Sequence, residues 1–94
     1  MQELLHVTTP ADWESASARG LYPCPPGGFI HLCTEQLLRF VLERHFAGRT
    51  GLLLLRLDPE GLDVRWEESE PGMPPFPHLY GPLPCASVRR TQAL

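Results

Sequence analysis

The stretch "GLLLLRLDPEGLDVRW", residues 51–66, decides the fold class of this chain. Residues 52–57 form a nearly unbroken apolar run of strand length, which predicts a buried strand. The "DPEG" at 58–61 is typical of a tight turn, because aspartate, proline and glycine each favour turn backbone. Residues 62–66 alternate apolar and polar side chains, so a second strand with one buried face follows the turn.

The chain before this stretch begins with a predicted strand over residues 3–8 and a first helix. Thr9 is placed to cap that helix and Pro10 occupies its first position, where the missing N–H costs nothing. Gly20 is suited to end it, since glycine readily adopts the left-handed conformation of a helix C-terminus. Residues 21–28, "LYPCPPGG", are rich in proline and glycine and predict a loop.

The remaining elements complete an α+β pattern. Thr34 is placed to cap a second helix, in which apolar residues recur at helical spacing as far as Gly48. The acidic, proline-rich residues 67–77 predict an exposed excursion. Further short, hairpin-like strands are predicted at 29–33, 78–80 and 85–90. The order of elements predicts a single domain, residues 1–94, with two helices packed on a small, mainly antiparallel sheet, either continuous or split.

Composition narrows the class of function. The 94 residues carry a formal net charge of −3, which disfavours a general nucleic-acid binder because phosphate recognition needs a basic surface. The longest apolar run is far shorter than the ~20 residues that span a bilayer. The N-terminal sequence does not resemble a signal peptide. Three cysteines without a CxxC pair fit a reducing compartment, so we expect a cytoplasmic protein without membrane contact.

Three of the four histidines lie within predicted strands, namely His6, His31 and His78. Histidine is costly to bury without partners, and its pKa near neutrality suits ligand contact or proton transfer. One such residue would be interpreted as a structural histidine. Three in so small a chain predict a histidine-lined cleft, provided that their faces agree.

Two other kinds of site are weakly indicated. His31 and Cys33, with His6 and His78, offer zinc ligands, but no paired-ligand spacing is present and we predict no metal site. Cys33 or Cys24 beside a histidine could imitate a thiol hydrolase. A cysteine among apolar residues is more often a small buried hydrophobe, so we disfavour that reading.

Two further segments remain open on sequence alone. Glu67 follows a predicted strand and could contact a sugar hydroxyl, or it could belong to a solvated acidic loop together with Glu68 and Glu70. The "FPHLYGPL" at 76–83 could line a pocket for a planar ligand through its aromatic rings, or could plug the core as a structural turn.

Several pieces of the sequence together resemble a known family. They are "LLHVT" at 4–8, Trp13, "GLY" at 20–22, "GFIHLCTEQ" at 28–36, "LLLLRLDPEGL" at 52–62, "RWEE" at 65–68 and "FPHLYGPL" at 76–83. They look like the domain of unknown function 952 family of small bacterial proteins. The chain departs from that pattern at Cys33, which is displaced by one position, and this argues against an obligatory role for its thiol.

The resemblance implies a distant kinship to the ADP-ribosyltransferase-like fold, which includes the RNA 2′-phosphotransferases and binds NAD in a cleft of a split antiparallel sheet. By that resemblance His6 would contact the ribose and His31 would occupy the second position of the site. Glu67 or His78 would supply the third position, so we assign His6, His31 and Glu67 as catalytic candidates. The predicted ligand contacts are His6, Tyr22, His31, His78 and Tyr80.

Two functional hypotheses follow. The first is a site for NAD or an ADP-ribose-like nucleotide, with transferase chemistry of the ADP-ribosyl or RNA 2′-phosphotransferase kind. The second, from a different class, is a non-catalytic module that binds a small ligand or a protein partner. NAD is the one cofactor that the resemblance implies, and the residues themselves indicate no other.

Overall fold

The structure is a computed structural model that describes residues 2–94. Its helices are α1 (Pro10–Arg19) and α2 (Leu38–His45), with 3-10 turns at Glu35–Leu37 and Cys85–Ser87. Its strands are β1 (Leu4–Thr8), β2 (Leu21–Tyr22), β3 (Ile30–His31), β4 (Leu53–Leu57), β5 (Val64–Glu67), β6 (Phe76–Leu79), β7 (Leu83–Pro84) and β8 (Val88–Ala93). This arrangement confirms the predicted α+β class with two helices.

The strands form three small antiparallel sheets. The largest two have the orders β1-β4-β8 and β3-β6-β5, and β2 pairs with β7. The two three-stranded sheets meet at one point, where the backbones of Leu5 and Cys33 exchange hydrogen bonds of 2.9 and 2.8 Å. The strands on either side of the 58–61 turn therefore belong to different sheets, and β4 lies between strands from the two ends of the chain.

In the β1-β4-β8 sheet, β1 and β4 carry buried apolar residues on both faces, and each face packs against a different helix. On one face, Leu4 and Leu55 join a buried cluster against which Trp13 of α1 packs. On the other face, Leu5 and Leu54 join a second cluster that is covered by α2. A strand that is buried on both sides needs a continuous apolar run, which explains the sequence of residues 52–57.

The ends of α1 are formed as the sequence predicts. The Thr9 side chain accepts a hydrogen bond from the backbone N–H of Asp12, and Pro10 occupies the first turn. Gly20 ends the helix with φ of +82°, and its N–H bonds to the carbonyl of Ala16. Helix α2 begins later than predicted, at Leu38, because a 3-10 turn occupies residues 35–37.

Two predicted loop segments contain strands. Leu21 and Tyr22, predicted as loop, pair with β7 and form β2. The predicted excursion over residues 67–77 is wrong at both ends, because Glu67 belongs to β5 and pairs with Phe76 of β6. Proline lacks an N–H, but the carbonyl of Pro77 still accepts a hydrogen bond from the Leu32 N–H at 3.1 Å.

The last predicted strand, at 85–90, also differs in extent. Residues 85–87 form a 3-10 turn rather than the start of a strand, and β8 continues to Ala93. Within residues 2–94, neither helix has the length and apolar character needed to cross a bilayer.

Candidate functional site

His6 and His31 are joined by a hydrogen bond between their strands. His6 Nδ1 lies 2.6 Å from the backbone carbonyl oxygen of His31. A carbonyl can only accept, so Nδ1 of His6 carries the proton and its Nε2 is left as an acceptor when the ring is neutral. Burial lowers the pKa of His6 below its ordinary value, so the neutral form is favoured.

Tyr22 flanks His6 on the same side of the sheet. The two rings meet edge to face with centroids 5.1 Å apart. The Tyr22 hydroxyl forms a 2.6 Å hydrogen bond with the hydroxyl of Thr8, which is buried. Alternation along β1 places His6 and Thr8 on one face, so a single strand positions both partners of Tyr22.

A cluster of four rings lies beside this pair and is called the aromatic cluster below. Its members are Phe29, His31, His78 and Tyr80. His31 and His78 face each other across the β3–β6 pairing, with ring centroids 5.5 Å apart. Phe29 stacks on His78 with centroids 3.9 Å apart and an interplanar angle of 20°. Burial, and then the neighbouring His78 and His45, lower the pKa of His31.

Glu67 is held by two members of the aromatic cluster. Its Oε1 accepts a hydrogen bond of 2.6 Å from the Tyr80 hydroxyl and lies 2.8 Å from Nδ1 of His78. Both contacts lower the pKa of Glu67, and the hydrogen bond from Tyr80 has the larger effect. The hydrogen bond between Tyr80 and Glu67 also raises the pKa of Tyr80. The Arg65 guanidinium lies 4.2 Å from the centre of the Tyr80 ring, which places a cation over that ring.

His78 has one ring nitrogen that the described protein atoms do not satisfy. The residue is 4% exposed, and its buried Nε2 has no hydrogen-bond partner among residues 2–94. A buried polar atom without a partner costs about 1–3 kcal/mol, so such atoms are rare unless they have a use. The ionised Glu67 can only accept, so Nδ1 of His78 donates to it and Nε2 is the acceptor of a neutral ring.

Two cavities adjoin at the histidines. The first, of about 440 Å³, lies between α2 and the sheets. The second, of about 320 Å³, lies between α1 and residues 22–31. Both volumes fall within the ~300–1,000 Å³ that is typical of small-molecule sites. His6 and His31 line both cavities, so the two spaces share one wall.

The two cavities differ in chemical character. Much of the first is apolar, with Phe40, Phe46 and Phe76 among its lining residues, and it also contains the ion pair between Arg44 and Glu70. The lining of the second includes Asp12, Ser15, Arg19 and Tyr22.

The predicted site residues are therefore divided among four positions. His6 and His31 lie at the shared wall, His78 lines the first cavity, and Tyr22 lines the second. Glu67 and Tyr80 are not among the described residues that line either cavity. Glu67 instead contacts Nδ1 of His78, and Tyr80 donates a hydrogen bond to Glu67.

Sequence reasoning missed Phe29 and Arg19. Phe29 stands two residues before His31, and strand alternation places both on one face, so the "FIH" spacing could have indicated it. Arg19 lies in the last turn of α1, and nothing local marks it as a lining residue. Its guanidinium hydrogen-bonds to Ser15 Oγ at 3.3 Å, and both side chains line the second cavity.

The structure also bears on the weaker alternatives. No group of three or more metal-ligating side chains occurs among residues 2–94. Cys33 is buried, and burial raises the pKa of its thiol to about 11. A thiol in that state is a poor nucleophile near neutral pH.

Comparisons with known proteins place the chain in a family. The family described as "Protein of unknown function (DUF952)" matches residues 7–91. The crystal structure of protein CC0527 from Caulobacter crescentus is 31% identical, with a TM-score of 0.84, over 96% of this chain and 83% of that one. The solution NMR structure of CC0527 gives 32% identity and a TM-score of 0.82, over 100% of this chain and 85% of that one. No protein of curated function matches.

Fold and site thus define a small α+β protein with open, mainly antiparallel sheets and a histidine-lined cleft. The chain belongs to the DUF952 family. Both structures of CC0527 are structural genomics targets, and their descriptions name no ligand or reaction.

Proposed function

We propose that this protein binds NAD or an ADP-ribose-like nucleotide across its two cavities. The observation that carries the proposal is the shared wall, since His6 and His31 line both spaces. A ligand of two parts joined by a charged linker fits such a site better than a single compact ligand. The wall would then contact the middle of the ligand, where ribose hydroxyls need both donors and acceptors.

The character of each cavity supports this class of ligand. The aromatic lining of the first cavity suits a planar base or a nicotinamide ring, since such rings pack on apolar and aromatic surfaces. In the second cavity, Arg19 offers a cation for a phosphate and Ser15 a hydroxyl. Tyr22 and the acceptor nitrogen of His6 are suited to ribose hydroxyls.

The arrangement of Glu67 bears on whether bound NAD would react. Loss of nicotinamide builds positive charge on the ribose, and a carboxylate facing it would stabilise that charge. Glu67 instead accepts hydrogen bonds from Tyr80 and His78, away from the lining of both cavities. This observation favours the second candidate, a binding module without transferase chemistry. Asp12, which lines the second cavity, is the alternative carboxylate for a reaction.

A thermal-shift titration with NAD and with ADP-ribose, followed by a chromatographic assay for free nicotinamide, tests these candidates. A saturable rise in Tm with either nucleotide supports the proposed ligand class. Release of nicotinamide by the wild-type protein, and its loss in Asp12→Asn, supports the transferase. Binding without release supports the module, and absence of any shift at millimolar nucleotide overturns both nucleotide hypotheses.

A further inference from the structure

Glu67, Tyr80 and His78 form a connected unit to which the ligand contacts of the proposed function assign no role. Tyr80 donates its hydroxyl proton to Glu67 Oε1 at 2.6 Å, and the same oxygen lies 2.8 Å from His78 Nδ1. This is the hydrogen-bond pattern by which a carboxylate fixes the tautomer and orientation of an imidazole. The outcome for a neutral His78 is a proton on Nδ1 and a lone pair on Nε2.

The contacts of the His78 ring determine where the Nε2 lone pair lies. His78 lines the first cavity, and Nε2 is buried without a partner among the described residues. Phe29 stacks on one face of the ring, and the edge of His31 lies against it. Both neighbours also line the second cavity, so the His78 ring stands just behind the shared wall.

We propose that His78 Nε2 is a hydrogen-bond acceptor for a ligand hydroxyl that reaches it from the first cavity as the side chains covering it move aside, and that Glu67 and Tyr80 are positioning residues that act through His78. The identity of the hydroxyl rests on the proposed function, under which it belongs to a ribose. The assignment of His78 as the acceptor, and of Glu67 and Tyr80 as positioning residues, does not depend on the proposed function. Glu67 thereby changes from a catalytic candidate to the group that orients a ligand contact.

Matched variants separate these roles. Glu67→Ala removes the acceptor for Nδ1–H, whereas Glu67→Gln keeps a carbonyl that can still accept that hydrogen bond. Glu68→Gln alters the exposed neighbouring carboxylate and serves as the control. His78→Phe removes Nε2 but keeps a flat ring on which Phe29 can stack.

The first measurement is made on the ligand-free protein. Nitrogen-15 spectra of histidine-labelled protein report which ring nitrogen carries the proton, and the signal missing from His78→Phe assigns His78. We expect a single Nδ1–H tautomer in the wild type, in Glu67→Gln and in Glu68→Gln, and an Nε2–H form in Glu67→Ala. An Nε2–H tautomer in the wild type overturns the inference, whether or not the protein binds a nucleotide.

The second measurement is the affinity for ADP-ribose by calorimetry. We expect His78→Phe and Glu67→Ala each to weaken binding about threefold to tenfold, as the loss of one hydrogen bond does. The double variant should lose no more than either single one, because Glu67 acts through His78. Tyr80→Phe, which keeps the ring, should shift the tautomer balance in the same direction as Glu67→Ala. It therefore tests the same role if the Glu67→Ala protein does not fold.

The failures of the two proposals are distinguishable. If wild-type protein does not bind ADP-ribose, the proposed function fails, and the tautomer spectra alone decide the positioning role. If ADP-ribose binds and His78→Phe binds it as tightly as wild type, the acceptor role is overturned while the proposed function stands. Additive losses in the double variant would overturn the claim that Glu67 acts through His78.

Discussion

Nδ1 of His6 donates a hydrogen bond to the backbone carbonyl of His31 across 2.6 Å, and this bond links the first strand of one sheet to the first strand of another. The bond lies close to the place where the backbones of Leu5 and Cys33 pair. It therefore fixes the His6 ring relative to the backbone of His31, and the side chains of both residues line both cavities. The geometry of the cleft depends on this contact.

The first prediction concerns the pH dependence of stability. Burial lowers the pKa of His6 and of His31 in the folded state below the ordinary value of 6.5. As the pH falls through 6.5, the unfolded chain takes up protons that the folded protein resists. The free energy of unfolding should therefore be fully maintained above about pH 7 and decline between about pH 6.5 and 5. Chemical denaturation at several pH values measures it.

His6→Gln is the matched variant for this prediction, since its amide N–H can still donate to the His31 carbonyl without titrating. Its stability should decline less between pH 7 and 5 than that of wild type. A variant profile that superimposes on the wild-type profile would show that His6 does not carry the effect.

The second prediction concerns Thr8 and Tyr22, whose hydroxyls lie 2.6 Å apart. Tyr22→Phe and Thr8→Val should each lower the free energy of unfolding by about 0.5–1.5 kcal/mol, because each leaves the partner hydroxyl unpaired. The double variant should be less destabilised than the sum, because both partners are then apolar. Urea denaturation of all four proteins measures the coupling, and strictly additive losses would mean that the bond contributes nothing.

The third prediction concerns thiol reactivity. Cys33 is buried with a pKa raised to about 11, whereas Cys24 is only partly buried. In native protein at about pH 7.5, iodoacetamide should modify Cys24 well before Cys33. Peptide mass spectrometry after timed quenching gives the rates. Modification of native Cys33 as fast as that of Cys24, or as fast as in urea-unfolded protein, would contradict the buried placement.

The fourth prediction concerns the central strand. Leu54 of β4 is fully buried against α2, so Leu54→Ala should lower the free energy of unfolding by about 2–5 kcal/mol. Leu21→Ala removes the same atoms from an exposed side chain and should cost less than about 0.5 kcal/mol. Equal losses for the two variants would show that β4 is not the buried centre of the fold.

Local sequence determined the parts of the fold that depend on local physics. Thr9, Pro10 and Gly20 predicted α1 because caps act within one turn of the chain. The apolar run at 52–57 predicted a buried strand, but not that its neighbours would be β1 and β8. Pairings across such separations depend on the complete core.

The histidine lining of the cleft could be predicted from the sequence, but the contacts between the residues around it could not. Histidines within apolar strands predicted a histidine-lined cleft, and His6 and His31 do line a shared wall. The role of Glu67 depends on the β5–β6 register, which brings its carboxylate to His78 and Tyr80. The prolines of residues 67–77 argued against a strand there, so that register could not be derived from the sequence.

The central claim is that one nucleotide occupies both cavities across the wall formed by His6 and His31. The most direct test is calorimetric comparison of ADP-ribose with its two halves, AMP and ribose 5-phosphate, on the wild-type protein and on Arg19→Gln, with Arg39→Gln as the exposed control. We predict that ADP-ribose binds at least about tenfold more tightly than either half. Arg19→Gln should weaken it by about threefold or more, and Arg39→Gln should leave it unchanged. Binding of ADP-ribose no tighter than that of its better half, or no binding of any of the three, would contradict the account.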